Sequence, residues 1–210
     1  MQDVQSDRGL RETKKAATRR ALTSATRRLA LENGLDGVTV EQVCAQVGVS
    51  PRTFFNYFPT KEAAALGGDL ELGTEESRAT FVAGGPTGDL LADLLTLLDP
   101  SSAMEEEGRD ELVAAMELAT REPRLLALQL GRFAGHEAEV AGLLAQRLDR
   151  PADDPACLTV AAVGLSLLRR AVLQWLAADD GSPLSNHLTR TREHTALVLA
   201  ADPRPSRGAS

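Results

Sequence analysis

The chain has 210 residues, 43% hydrophobic and 25% charged, with a formal net charge of −7. Such a balance fits a folded, soluble protein of one domain or two small ones, with enough apolar material for a sizeable core. Two cysteines, Cys44 and Cys157, lie far apart on apolar helical faces, so buried thiols are expected rather than a disulfide or a metal site. No basic segment followed by an apolar run opens the chain. The most apolar stretch, Leu158 to Leu168, is interrupted by Thr159 and Ser166 and closed by Arg169 and Arg170, so a cytoplasmic protein without a membrane span is expected.

Ala and Leu are abundant, and Gly and Pro fall between long apolar-periodic stretches, which argues for an all-α fold. The charge is unevenly divided. Residues 1–61 carry ten Lys/Arg against six Asp/Glu, a net +4, and the remainder carries −11. This asymmetry points to an N-terminal part that meets a polyanion, although a solvated basic helix face has the same appearance.

In chain order, Leu10 to Asn33 reads as a first helix, with Leu22, Ala25, Leu29 and Ala30 on one stripe and Gly34 as the stop. Thr39 is placed to cap a second helix, Val40 to Val47, with Gln42 completing a capping box. Its apolar stripe is Val40, Val43, Cys44 and Val47, and Gly48 ends it. Ser50 then suits an N-cap and Pro51 the first helical position, so two short helices are joined by Gly48, Val49 and Ser50 as a helix-turn-helix.

A helical wheel stepped at 100° from Pro51 groups Phe54, Phe55 and Phe58 toward the core and Arg52, Thr53, Asn56 and Tyr57 on the other side. Arg, Asn and hydroxyl side chains are the types that read base edges or hold phosphates. Thr60 caps a fourth helix that begins at Lys61.

The segment "ENGLDGVTVEQVCAQVGVSPRTFFNYFPTKE" resembles the DNA-binding domain of the tetracycline-repressor (TetR) family of bacterial regulators. That family's pattern is T-V-x-x-I-A-x-x-A-G-V-S-x-x-T-x-Y/F-x-Y/H-F-x-S/T-K-E, and the match covers roughly residues 13–62. The resemblance implies that Thr39, Tyr57 and Lys61 hold DNA phosphates. It also implies that Pro51, Arg52, Thr53 and Asn56 lie in the major groove, and Ser50 at the helix start is counted with the DNA-binding residues. Arg52 and Asn56 are the candidates for reading sequence. Ala30 stands where the family usually has an aromatic, and Cys44 where it usually has Ala; both are core positions.

Beyond Lys61 the family pattern stops, and helices are expected at 61–72, 88–98, 108–121, 124–148, 155–178 and 184–201, with a disordered tail over 203–210. The domain division expected is 1–60 for DNA binding and 61–202 for effector binding and dimerisation. The resemblance implies that the last two helices pair with those of a second copy, giving a homodimer. It also implies an effector pocket among the middle helices, for which Phe81, Leu94, Met104, Leu112, Met116, Phe133 and Trp175 are candidate linings for a hydrophobic or amphipathic small molecule. Each such residue is more often plain core than pocket lining, because an apolar stripe at helical spacing says only that it faces inward.

His136, Glu137 and Glu139 do not share a helical face well, so no metal is expected. No nucleophile elbow, Walker loop or dinucleotide fingerprint is present, so neither enzymatic activity nor a cofactor is expected. The reading is a dimeric regulator, a repressor of a palindromic operator in double-stranded DNA that a small effector releases. A ligand-independent regulator or activator, and a helical small-molecule binder or enzyme that no longer reads DNA, stay open.

Overall fold

The computed structural model describes residues 2–68, 72–101, 104, 108–178 and 180–200, and among these the regular structure is helical throughout. The expected tail at 203–210 lies outside the described residues. The chain divides into two compact units, Met1–Leu70 with Ala103–Phe133, and Glu71–Ser102 with Ala134–Ser210.

In the first unit α1 spans Gln2–Asn33, starting well before the expected Leu10. No proline interrupts residues 2–10, and the one glycine there, Gly9, costs a helix only about 1 kcal/mol. A 3-10 turn, Leu35–Gly37, leads to α2, Val40–Val47, whose Thr39 and Gln42 make the expected capping box. Gly48 closes α2 in the left-handed region, φ 75°. Next come α3, Pro51–Phe55, and α4, Lys61–Leu66, which is shorter than the expected 61–72 because Gly67 stops it at φ 84°. Later in the chain α7, Arg109–Arg121, and the first part of α8, Pro123–Leu148, belong to the same unit. Their Leu118 and Leu125 join Leu22, Leu29, Leu35, Val43, Phe54 and Phe58 in one apolar cluster.

Arg27 is 1% exposed inside this unit. Its guanidinium donates to the Ala65 and Leu66 carbonyls at 2.8 and 3.0 Å, which are end-of-helix acceptors of α4, and to the Glu111 carbonyl of α7 at 3.0 Å. Its ion pair with the Glu111 carboxylate is 3.3 Å, and Ser24 donates to the other carboxylate oxygen. One buried cation thus satisfies carbonyls that α4 cannot satisfy by itself.

The second unit contains α5, Glu75–Val82, and α6, Leu90–Leu97, then the rest of α8, α9, Pro155–Ala177, and α10, Leu184–Ala200. Helix α5 is absent from the sequence expectation. Its polar run Glu75 to Thr80 hides the apolar periodicity, but Thr74 caps it and Phe81 anchors it, buried. The other helices lie within two residues of their expected bounds.

Among the described residues α9 alone is long and apolar enough to cross a membrane, with a mean hydropathy of 1.7. Its Ala161, Gly164, Leu165, Leu168 and Ala171 are buried, and it packs on α6 and α10. Gly164 permits the approach to α6, because a Cβ there would lie 2.7 Å from Leu94 Cδ2. A buried pair, Arg147 and Asp93 at 2.7 Å, completes the unit, with the guanidinium 4.7 Å from the Phe81 ring centroid. Both cysteines are buried thiols.

Candidate nucleic-acid interface

Helix α3 is presented by its caps. Ser50 Oγ accepts from the Thr53 amide at 3.1 Å and lies 2.8 Å from Thr53 Oγ1, while Pro51 fills a position that needs no amide hydrogen. Pro51, Arg52 and Asn56 are exposed and Thr53 is half-buried, so this part of the expected outer face is brought together on one short helix and its C-cap.

The aromatic residues sort differently from the wheel. Phe54 and Phe58 are buried at 0% and 2%, but Phe55 is 56% exposed, and Tyr57 is half-buried against the core cluster. Pro51, the reference of that wheel, is itself exposed; the buried direction of the helix lies between Phe54 and Phe58. About that direction Phe55 and Tyr57 sit at equal and opposite offsets of about 80°. Helix α3 ends at Phe55, so the turn at Asn56 and Tyr57 decides which of the two goes inward. The exposed face of α3 therefore gains Phe55, which sequence reasoning missed.

Thr39 is exposed, with its hydroxyl accepting the Gln42 amide at 3.2 Å. Lys61 is half-buried, and its ammonium donates to the Leu35 and Val38 carbonyls, both at 2.8 Å. An ammonium has three hydrogens, so at most one remains for an outside acceptor. Lys61 thus ties the start of α4 to the loop before α2. The neighbouring surface of α1 is basic: Lys14, Lys15, Arg19, Arg20 and Arg28 are exposed, the Arg19 guanidinium lies 5.3 Å from the Phe58 ring centroid, and Arg28 donates to Gln46 of α2.

The residues expected around an effector divide between the two units. Met104, Leu112, Met116 and Phe133 belong to the first; Phe81, Leu94 and Trp175 are buried in the second. Trp175 donates its indole N–H to the Ser182 carbonyl at 3.1 Å. A cavity of about 280 Å³ in the second unit includes Phe81 but is otherwise edged by Thr74, Glu76, Ser77, Thr80, Pro86, Asp93, Thr96 and Leu97. Glu139 pairs with Arg78 at 2.9 Å, and no three potential metal ligands are grouped among the described residues.

Residues 22–64 match the sequence model described as bacterial regulatory proteins, tetR family, and residues 95–199 match that of the MftR C-terminal domain. The HTH-type transcriptional regulator TcmR of Streptomyces glaucescens is 33% identical over 153 residues, 70% of this chain and 67% of that protein. Among solved structures, one from Pseudomonas aeruginosa PAO1 assigned as a transcriptional regulator is similar in fold, with a TM-score of 0.50 and 17% identity. That similarity covers 87% of this chain and 90% of the other.

Proposed function

The chain belongs to the TetR family of bacterial transcriptional regulators, DNA-binding proteins, and from that premise we propose that it is a cytoplasmic repressor whose two copies occupy a palindromic operator until a small molecule releases them. The observation that carries the DNA-reading part is the exposed end of α3, where Pro51, Arg52, Phe55 and Asn56 stand together between rigid caps. In this reading Arg52 and Asn56 address base edges, Arg favouring guanine and Asn adenine, and Phe55 offers an apolar surface to a thymine methyl. Thr39, Tyr57 and the remaining Lys61 hydrogen hold phosphates and fix the register, while Ser50 and Thr53 stand at the groove end of α3.

A helix of five residues reads few bases, so a second copy related by a two-fold axis supplies the missing half-site. The side chains available for that contact include Leu158 and Val163 on α9 and Leu197 and Val198 on α10, all exposed apolar residues. The effector acts by population shift: it releases the operator only insofar as it binds the non-reading conformer more tightly.

Selection from a random duplex library tests the reading. A pseudo-palindromic site should be enriched. Arg52→Ala should relax preference at one position per half-site and weaken binding to the enriched site by about 1–3 kcal/mol. No enriched sequence, or an unchanged preference in Arg52→Ala, would overturn it.

A further inference from the structure

We propose that the N-terminal overhang of α1 is a second DNA contact, in which Lys14, Lys15 and Arg19 grip the phosphate backbone outside the groove that α3 enters. The inference rests on the DNA-binding reading above and extends its footprint.

Its first support is charge. From Thr13 to Leu31 there are six Lys or Arg and no Asp or Glu, more Lys and Arg than any other acid-free run in the chain holds. Its second is the course of one helical stripe. Positions 15, 19, 22, 26 and 29 repeat at offsets of three and four and so share a face of α1. On that face Leu22, Thr26 and Leu29 are buried at 0%, 0% and 9%, whereas Lys15 and Arg19 are exposed. The same stripe that builds the core from Leu22 onward therefore turns into a row of cations where the helix passes beyond it. An overhang that packed on its own protein would continue with apolar residues; this one presents what a polyanion takes.

Its third support is position. Arg19 lies over the ring of Phe58, 5.3 Å away, and Phe58 directly follows Tyr57 in the loop between α3 and α4. Lys15 is one turn further out, about 6 Å along the axis. The cationic row thus starts beside the loop that carries Tyr57 and leads to Lys61 at the start of α4, and a single polyanion running past α3 meets both. An anionic membrane or an acidic peptide matches the charge but not this closeness to the loop that carries Tyr57.

The test is fluorescence anisotropy of the full chain with a labelled random-sequence duplex of about 40 base pairs, titrated between 50 and 200 mM KCl. Replacing Lys14 and Lys15 together by Gln should make the slope of log affinity against log salt shallower by about 2 per protomer. The deficit relative to wild type should therefore be about tenfold larger at 50 mM than at 200 mM. Lys14→Arg with Lys15→Arg should restore the slope, and circular dichroism should give the same thermal midpoint for all three.

An unchanged slope in the Gln variant overturns the inference and leaves the DNA-binding reading standing. So does a loss confined to phosphatidylserine vesicles. Absence of salt-dependent duplex binding by the wild type would instead sink the DNA-binding reading itself.

Discussion

Replacing Arg27 by Met keeps most of the side chain's length and removes its charge and donors. Three carbonyls, of Ala65, Leu66 and Glu111, then each lose a donor inside the first unit. At about 1 kcal/mol for each hydrogen bond the loss is about 3 kcal/mol. The broken ion pair adds little, because the Glu111 side chain is 33% exposed and keeps the Ser24 hydroxyl. Breaking a fully buried pair costs about 3–5 kcal/mol, so the lower end of that range applies.

Urea unfolding at fixed protein concentration measures the effect. With a slope of about 2 kcal/mol per molar, the midpoint should fall by about 1.5 M with the slope itself unchanged. Arg27→Lys should recover less than half of the loss, since a point-like ammonium cannot reach acceptors on two helices in the fork that a guanidinium provides. A fall of less than about 0.3 M in Arg27→Met would refute the argument, because it would mean that water satisfies those carbonyls equally well.

Phe54→Ala should cost about 3–5 kcal/mol, whereas Phe55→Ala should cost under about 1 kcal/mol in urea unfolding and weaken duplex binding instead. Equal destabilisation by the two would put Phe55 back in the core. Gly164→Ala should destabilise by about 1–3 kcal/mol, read as a lower thermal midpoint, because the new methyl meets Leu94 and Leu98; a neutral result would mean α6 and α9 can separate freely. Burial pushes the Asp93 carboxyl up, but its hydrogen bonds from Thr87 and Arg147 outweigh this and hold it at about 2, below the ordinary 3.8. A depressed native value contributes stability above the unfolded value and loses it as pH falls. The difference in thermal midpoint between wild type and Asp93→Asn should therefore be constant above about pH 5 and shrink as the pH falls from 4 toward 2. A gap that stays constant through that range would refute the assignment.

The first third of the chain was legible because its signals are local. Thr39 with Gln42, Gly48, Ser50 with Pro51, and Thr60 each declare a helix end by chemistry that needs no tertiary context. The same physics explains the misplacement of Phe55: in a helix of five residues the apolar direction depends on where the following turn points, and that is decided by packing. Helix α5 escaped because its burial rests chiefly on Phe81 amid Glu, Ser, Arg and Thr. Lys61 read as a phosphate ligand because its position fits the family pattern, and only the fold reveals two carbonyls already on its ammonium. Arg27 carried no signal at all, since its partners lie 38, 39 and 84 residues away.

The return of α7 and the start of α8 to the first unit limits how far this protein can be treated as interchangeable parts. A fragment ending at Gly68 would keep the whole helix-turn-helix but lose Leu118 and Leu125 from its core, the Glu122 carboxylate on the Leu35 amide, and the Arg124 bridge to Asp36. Grafting the reader onto a foreign sensor therefore requires carrying residues 108–133 as well, or rebuilding the surface they cover. Chain closure over more than 80 residues also has to precede full consolidation of the reader. During synthesis it is completed only after residues 71–102 of the second unit have emerged.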